Sequence, residues 1–260
     1  MSAEPRLELV EAEAWASIND AAGLPVLRIG DAVCIAAPVA PGSTLLNRVT
    51  GLGLTGRVGD ADLAEIDAFY RAHGVPRYVV AASPLGASDL AARLQERGFE
   101  PGHAWMKFRR GLDEPPSAST VLRVEAGASG DHFASVIGAV SGMPADVARV
   151  FSPLSGRKGW HCFVGYDGDE PVACAALFAR DGVGWLGAAG TLPDHRGQGA
   201  QGALLAARIA LARELGLEVL TTETGNQRAD SPSGSYRNVL RAGFEETYVR
   251  PNLLSPSAGG

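Results

Sequence analysis

Short apolar runs and longer amphipathic runs alternate along the chain, in an order that is similar in its two halves. In the first half, apolar runs bounded by turn residues predict strands, and runs with helical spacing of apolar positions predict helices. The predicted strands are Val26–Ile29, Ala32–Ala37, Leu45–Leu54, Tyr78–Ala82 and Phe99–Arg109. The predicted helices are Val10–Ala21, Asp60–His73 and Ser88–Arg97.

The second half follows the same order of elements. Its predicted strands are Val121–Val124, Cys162–Tyr166, Val172–Phe178, Gly184–Thr191, Glu218–Thr222 and Phe244–Arg250. Its predicted helices are Asp131–Val140, 199–215 and Tyr236–Arg241. A meander of strands followed by helix, strand, helix and strand predicts a mixed sheet with helices on its faces.

A linker divides these halves. Asp113–Ser119 contains two prolines and small polar residues, which neither continue a helix nor fit a central strand. We therefore predict two domains, 1–115 and 120–254. Each half also ends with a short helix, then Gly-Phe-Glu, at Gly98 and Gly243. Glycine suits the left-handed position that closes a helix, so the match is either a duplication, which the element order favours, or a common helix ending.

The richest chemical signal lies between the strand Gly184–Thr191 and the helix 199–215. Three glycines, at positions 197, 199 and 202, follow Arg196 at this junction. The first amides of a helix have no carbonyl partner within it, and they carry the positive end of the helix dipole. A glycine-rich turn in front of a helix therefore predicts a phosphate-binding site.

Two common phosphate-binding motifs fit this turn poorly. No Gly-Lys-Ser/Thr closes it, as a P-loop requires. Gly197-Gln-Gly-Ala-Gln-Gly202 matches the dinucleotide pattern as a string, and Glu218 lies about where an acidic partner is expected. That pattern belongs after the first strand of a βαβ domain, however, and here it lies close to the C-terminus. A nucleotide-dependent oxidoreductase is therefore one alternative function, ranked behind the two given below.

The turn resembles the coenzyme A loop of the GNAT acetyltransferase superfamily, Arg/Gln-x-x-Gly-x-Gly/Ala. Arg196-Gly-Gln-Gly199 fits its first four positions, whereas Gln201 departs from the last. Leu240-Arg-Ala-Gly-Phe-Glu245 resembles the family's second landmark, a helix ending in Gly-Phe. The resemblance covers about 120–250. It implies an α/β (α+β) fold of two tandem GNAT-like domains, each a mixed, mostly antiparallel sheet flanked by helices.

The resemblance also implies where acetyl-CoA would bind. In the family, the strand before the loop pairs with the pantetheine arm, and one of its amides faces the thioester carbonyl. Some relatives also place a serine of the later helix against the coenzyme. The predicted binding residues are Ala189, Gly190, Thr191, Arg196, Gly197, Gln198, Gly199, Ala200, Gln201, Gly202, Ser235 and Asn238.

The catalytic residues are less clearly marked. Glu223 ends the strand that the family separates from its neighbour to form the active cleft, so it is the predicted base, with capping of the following loop as the alternative. Many relatives use a tyrosine as acid at the position held here by Val239. Tyr236, nearly one turn earlier, is the predicted acid; the alternatives are a packed aromatic, and a thiolate that leaves without an acid.

The first half lacks this loop. Asp60 and Asp62 lie where the loop is expected, and their charges would repel a pyrophosphate. We therefore predict a degenerate first domain without coenzyme. The overall prediction is an acetyl-CoA-dependent N-acetyltransferase that moves the acetyl group directly to a primary amine of a small molecule or peptide. The alternative is a non-catalytic acyl-CoA sensor or interaction module.

Composition limits the remaining possibilities. The net charge of −6 argues against broad binding to nucleic acid or to an anionic membrane. No apolar run is long enough to span a membrane, and the first residues do not resemble an export signal. The three cysteines, Cys34, Cys162 and Cys174, lie in apolar runs and predict buried thiols in a reducing compartment. We expect a cytoplasmic monomer or homodimer without a bound metal.

Overall fold

The computed structural model describes residues 3–225 and 233–257. The chain folds into two compact units. The first unit is Met1–Met106 together with Tyr248–Gly260, and the second is Lys107–Thr247. Each unit contains its own sheet.

Helices and strands occur along the whole described chain. The helices are α1 (Ala3–Ala21), α2 (Asp60–Ala72), α3 (Leu90–Glu96), α4 (Gly130–Val140), α5 (Ala145–Ala148), α6 (Ala200–Glu214) and α7 (Gly234–Arg241), with 3-10 turns at Arg149–Leu154 and Pro193–His195. The strands are β1 (Val26–Ile29), β2 (Ala32–Ile35), β3 (Arg48–Thr50), β4 (Val79–Ala81), β5 (Glu100–Pro101), β6 (Trp105–Arg110), β7 (Arg123–Ala126), β8 (Trp160–Asp167), β9 (Glu170–Arg180), β10 (Val183–Thr191), β11 (Val219–Gly225), β12 (Glu245–Arg250) and β13 (Asn252–Leu254).

The first sheet has six strands in the order β1-β2-β3-β4-β13-β5. Most of its pairs are antiparallel, and β3 pairs with β4 in parallel. Apolar residues of the strands and of α2 and α3 form its core, with Tyr70 stacked on Tyr78 at 4.0 Å between ring centroids. Burial of this apolar surface is the main stabilising contribution to the unit.

The second sheet has seven strands in the order β12-β6-β11-β10-β9-β8-β7. Strands β7, β8, β9 and β10 pair antiparallel in succession, and β10 pairs with β11 in parallel. The α6 helix, which connects β10 to β11, packs its residues Ala200 and Leu204 on Phe163 and Ala175. This connection brings the turn before α6 to the end of β10.

The predicted fold class is confirmed, because the protein contains two mostly antiparallel sheets flanked by helices. The predicted strand Val26–Ile29 has the observed bounds, and the predicted helix 199–215 is α6, Ala200–Glu214. All three cysteines are buried and unpaired. Burial raises the pKa of Cys34, Cys162 and Cys174 to about 12, so these thiols stay protonated at neutral pH.

Two predicted strands differ in detail from the observed ones. Phe99–Arg109 is not one strand: β5 belongs to the first sheet and β6 to the second. The chain turns between them at Gly102, whose amide donates to the carbonyl of Asn252 over 2.7 Å. The predicted strand Leu45–Leu54 is only β3, because the chain turns at Gly51, where φ is +78°.

The end of the chain contains one strand that the sequence did not predict. The last predicted strand, Phe244–Arg250, is β12 and ends before Pro251, since proline has no amide for a strand ladder. The residues after it form β13, which pairs with β4 and β5 of the first sheet. The first unit therefore includes residues from both ends of the chain. The division of the chain into two domains, 1–115 and 120–254, stays a prediction based on the similarity of the two halves of the sequence.

Candidate functional site: a cationic cavity at the start of α6

The glycine turn has the backbone geometry of a helix start open to a ligand. Gly197 and Gly199 have φ of +81° and +80°, a region that glycine enters without steric penalty. Gly199 is the N-cap of α6, and its carbonyl accepts the first helical hydrogen bond, from the Ala203 amide at 3.1 Å. The amides of Ala200, Gln201 and Gly202 precede that bond, so they have no acceptor within the helix.

These amides border a cavity of about 710 Å³ within the second unit. The cavity lies between the end of β10, the start of α6, one side of α7 and part of the linker. Its described lining residues are Pro116, Ser117, Ala118, Ser119, Val140, Ala189, Gly190, Thr191, His195, Arg196, Gly197, Gly199, Ala200, Gln201, Gly202, Gly234, Ser235, Asn238, Arg241 and Ala242.

The charge of the cavity is opposite to that of the chain. Arg196 and Arg241 line it, and among the described lining residues there is no aspartate or glutamate. The chain as a whole has a net charge of −6. Both guanidinium groups are on exposed residues, and Arg241 Nη1 lies 3.5 Å from Oδ1 of Asn238. Two cations and the N-terminus of α6 together favour an anionic ligand.

Strand β10 carries a β-bulge where it borders the cavity. The pairing with β9 shifts between Gly187, opposite Ala176, and Gly190, opposite Cys174. The extra residue, Ala188, has φ of +44°, an uncommon conformation for a residue with a side chain. A bulge leaves part of the strand backbone unpaired, and the residues that follow it, Ala189, Gly190 and Thr191, line the cavity.

A buried arginine supports the strand opposite the bulge. Arg208 of α6 is 1% exposed, and its Nη1 donates to the carbonyl of Ala176 over 3.2 Å. Its Nε donates to the Leu204 carbonyl at 3.0 Å. Burial lowers the pKa of Arg208 to about 9, which leaves the guanidinium charged at neutral pH. Arg208 thus joins α6 to β9 beside the site.

Most residues predicted to bind coenzyme lie together. The cavity lining includes every one of them except Gln198. The carbonyl of Gln198 instead accepts a hydrogen bond from Oγ1 of Thr120 at 2.8 Å. Gln198 therefore helps to fix the loop to the residue that follows the linker.

The three glycines of the turn, Gly197, Gly199 and Gly202, have different surroundings. The open backbone that the glycine-rich turn suggested is therefore not found at all three positions. No atom outside its neighbours lies within 4 Å of a Cβ built at Gly197, as expected for an open backbone. A Cβ at Gly199 would lie 2.1 Å from the carbonyl oxygen of Ser119. A Cβ at Gly202 would lie 3.8 Å from the Cβ of Ala118, which is ordinary van der Waals contact. At Gly199 the missing side chain thus leaves room for the linker.

The binding and catalytic residues predicted on helix α7 lie on different faces of that helix. Ser235, Asn238 and Arg241 line the cavity at the spacing of one helix face. Tyr236 and Val239 lie outside the lining, and Val239 is buried. The Tyr236 hydroxyl donates to Glu246, and burial together with this hydrogen bond raises the pKa of Tyr236 to about 12. The predicted acid therefore faces Glu246.

The predicted base, Glu223, also lies outside the described lining. Lys107 Nζ donates to its Oε2 over 2.8 Å, and Trp185 Nε1 lies 3.1 Å from both carboxylate oxygens. The Lys107 side chain is 1% exposed and that of Glu223 is 12% exposed. The structure brings Glu223 to the end of β11, where it takes part in a largely buried ion pair.

Two buried polar atoms beside the cavity have no hydrogen-bond partner in the described chain. They are Oγ1 of Thr191 and Nδ1 of His195. The other ring nitrogen of His195, Nε2, lies 3.3 Å from Asp167. A buried hydroxyl without a partner is unfavourable by about 1–3 kcal/mol, so a polar ligand at the end of β10 would relieve this cost. The cavity therefore fits a polar, anionic ligand.

Sequence reasoning missed several lining residues, among them the linker residues Pro116–Ser119, Val140 and Arg241. Val140 packs so closely that a Cβ at Gly190 would lie 2.4 Å from its Cγ1. The position of Arg241, one turn after Asn238 on the same helix face, is a signal that could have identified it. The linker carries no such signal, because its path depends on contacts with distant residues.

The start of α2 in the first unit is built differently from the start of α6. Asp62 accepts a hydrogen bond from the Gly59 amide at 2.7 Å, which caps the helix. Asp60 forms ion pairs with Arg93 and Arg97. These aspartates serve the helix itself, and their charges oppose an anionic ligand there.

Among residues 3–225 and 233–257, the histidine, cysteine and acidic side chains form no group of three or more suited to a metal ion. A membrane-crossing helix is likewise absent from the described ranges, since none combines the length and hydrophobicity required.

Comparison with known proteins shows which family this chain resembles. Residues 136–232 match the profile of the Acetyltransferase (GNAT) family. The chain resembles the GNAT acetyltransferases. A search of curated protein sequences finds no match. The GNAT profile covers β8–β11 and α6, and hence the glycine loop.

Solved structures agree on a GNAT fold along nearly the whole chain. A GCN5-related N-acetyltransferase from Kribbella flavida has 20% identity and a TM-score of 0.62, covering 96% of both chains. One from Sphaerobacter thermophilus has 15% identity and a TM-score of 0.62, covering 98% of this chain and 95% of that chain. A tandem GNAT protein from the clavulanic acid biosynthesis pathway has 15% identity and a TM-score of 0.57, covering 82% and 75% respectively. At these identities the likeness shows the fold.

Proposed function

We propose that the protein is an acetyl-CoA-dependent N-acetyltransferase whose coenzyme site is the cavity at the start of α6. The observation that carries this proposal is the combination of free helix amides, two arginines and no described carboxylate around the cavity. A pyrophosphate would bind at Gly197–Gly202 with Arg196, because charge-assisted hydrogen bonds to phosphate are the strongest ones available there.

The pantetheine arm would then follow the end of β10 towards the bulge. Ala189, Gly190 and Thr191 line the cavity there, and one of their backbone amides is the proposed contact of the thioester. An amide that donates to the thioester oxygen stabilises the negative charge that develops when an amine attacks, an effect often worth about 3 kcal/mol. Ser235 and Asn238 of α7 would contact the arm from the opposite wall.

The proposed reaction is direct transfer to a primary amine of a small molecule or peptide. The amine nitrogen attacks the thioester carbon, a carbon–nitrogen bond forms, and the carbon–sulfur bond breaks. Glu223 is the proposed acceptor of the amine proton, through water. The thiolate is a good leaving group and takes a proton from water, so the reaction does not depend on Tyr236.

A direct test measures binding and turnover in the same protein. Calorimetry should show that wild type binds coenzyme A. Arg196→Glu and Arg241→Ala should each raise Kd at least tenfold, because each removes a charged contact worth about 1.5–3 kcal/mol. Arg180→Ala is a matched control, since this exposed arginine lies outside the cavity lining. Unchanged affinity in both cavity variants would refute the site.

A second function, a non-catalytic acyl-CoA sensor, is favoured by one specific observation. Glu223 is engaged by Lys107 and Trp185, and Tyr236 by Glu246, so neither predicted catalytic group borders the cavity. An acceptor screen separates the two functions: free thiol is released with at least one amine if the protein is an enzyme. Coenzyme binding without thiol release across a broad amine panel would favour the sensor. Titration with NAD(P) tests the oxidoreductase alternative.

A further inference from the structure

The linker between the two similar halves is fixed in place by an arginine. Arg110 is 5% exposed and donates to the carbonyls of Gly111 and Asp113, each at 2.9 Å, and of Glu114 at 2.8 Å. Its Nε also donates to the carbonyl of Ala242 over 2.8 Å. These charge-assisted bonds hold the start of the linker against the end of α7.

The other end of the linker is fixed to the glycine loop. Thr120 Oγ1 donates to the carbonyl of Gln198, and the Ser119 carbonyl occupies the space beside Gly199. Ala118 lies next to Gly202. A spacer between domains would not need anchoring at both ends, so the path of the linker along the loop calls for another role.

Between these anchors, Pro116–Ser119 line the cavity. Ser117 and Ser119 are exposed, and proline restricts the backbone that precedes them. A serine hydroxyl is a hydrogen-bond donor without charge, so it suits a phosphate oxygen. No acidic residue lies within Pro116–Ser119 to repel an anion.

We propose that the linker is a wall of the coenzyme site and that the hydroxyl groups of Ser117 and Ser119 bind the phosphate groups of coenzyme A. The inference rests on the proposed function. It assigns the linker a role in recognising the phosphorylated end of the substrate, whereas the end of β10 receives the thioester. The glycine at position 199 then serves two purposes: it turns the backbone, and it admits the linker.

The test compares ligands with and without phosphate groups. The variant is Ser117→Ala/Ser119→Ala, and the control is Ser135→Ala, an exposed serine of α4 outside the cavity. We expect the double variant to raise Kd for coenzyme A about tenfold or more, because hydrogen bonds to a charged group are lost. The KM for acetyl-pantetheine, which lacks the phosphates, should not change, and the thermal midpoint should match that of the control.

The outcomes are distinguishable. If wild type does not bind coenzyme A, both the proposed function and this inference are overturned. If wild type binds and the double variant has the same Kd, only the role of the linker is overturned. A loss that is equal for coenzyme A and acetyl-pantetheine also overturns it, because the serines would then not act on the phosphates.

Discussion

Lys107 donates a hydrogen bond to Glu223 at 2.8 Å, and this pair lies at the end of the strand that would carry the catalytic base. The Lys107 side chain is almost completely buried, and Trp185 donates to the same carboxylate. The two charges stabilise each other in a poorly solvated position, because removal of one takes an ion-pair partner away from the other. The pair therefore has both a structural role and a proposed chemical role, which variants can separate.

We expect Glu223→Gln to lower the free energy of unfolding by about 3–5 kcal/mol, as the removal of one partner of a buried pair does. It should also lower kcat for thiol release by about 10²–10⁴, the usual contribution of a general base. Adding Lys107→Met should recover part of the stability, since the charge that lost its ion-pair partner is then removed as well. Urea unfolding and steady-state kinetics measure the two effects.

The double variant decides the role of Glu223. If Glu223 is the base, kcat stays low in Lys107→Met/Glu223→Gln although stability returns. Recovery of kcat together with stability would show that the carboxylate only supports the fold.

Gly199 offers a test of the contact between loop and linker. Gly199→Ala places a Cβ 2.1 Å from the Ser119 carbonyl and also forces a side chain into a backbone with φ of +80°. Gly197→Ala is the matched control, because its φ is +81° and no other group lies within 4 Å of its Cβ. Backbone strain alone is worth about 1–2 kcal/mol.

We therefore expect Gly197→Ala to lose about 1–2 kcal/mol in urea unfolding. Gly199→Ala should lose more than that, and it should bind coenzyme A more weakly because the linker is displaced. Equal losses of stability in the two variants would mean that the linker does not press on Gly199.

The hydrogen bond of Tyr236 leads to a prediction about pH. The tyrosine hydroxyl donates to Glu246, and its pKa is raised to about 12 by burial and by this bond. Tyr236 therefore stays protonated up to at least about pH 10, and its titration does not shape the rate profile below that pH. We expect Tyr236→Phe to change kcat by less than about threefold and to leave the pH profile unchanged. A loss of about 10² in kcat, typical of a general acid, would restore Tyr236 as the proton donor.

Local signals predict the glycine turn well because its geometry depends on consecutive residues. Arg196, Gly197 and Gly199 determine the turn by their own backbone preferences, and the structure places them beside one cavity. Ser235 and Asn238 are predictable for a related reason, since helix spacing places them on one face. For these residues, the sequence contains the relevant physical information within one or two turns.

The remaining features depend on contacts between distant segments. The environment of Glu223 is decided by Lys107, which lies 116 residues away in the chain. The prolines and serines of the linker indicate a spacer, yet Arg110 and Thr120 fix it along the glycine loop. The strand after Pro251 escapes prediction because its partners, β4 and β5, belong to the first sheet. Composition of a short segment contains no information about such partners.

The first unit also contains a buried cluster of charges whose removal is expected to destabilise it. Arg250 Nη1 donates to Glu8 and to Glu11, each at 2.6 Å, and its Nη2 donates to Glu11 at 2.8 Å. All three side chains are at most 1% exposed. Tyr248 also donates to Glu8 at 2.6 Å, and burial beside that carboxylate raises the pKa of Tyr248 well above its usual value.

We expect Arg250→Met to lower the free energy of unfolding by about 3–5 kcal/mol, because it takes the guanidinium away from two neighbouring buried carboxylates. Arg28→Met is the control, since Arg28 pairs with Glu13 on the surface, where such a pair contributes about 0–1 kcal/mol. Urea unfolding followed by circular dichroism measures both variants. A loss in Arg250→Met no larger than that in Arg28→Met would show that the carboxylates take up protons or reach water when the guanidinium is removed. In that case the stability of Arg250→Met should rise as the pH is lowered, because protonation would reduce the negative charge of the buried carboxylates.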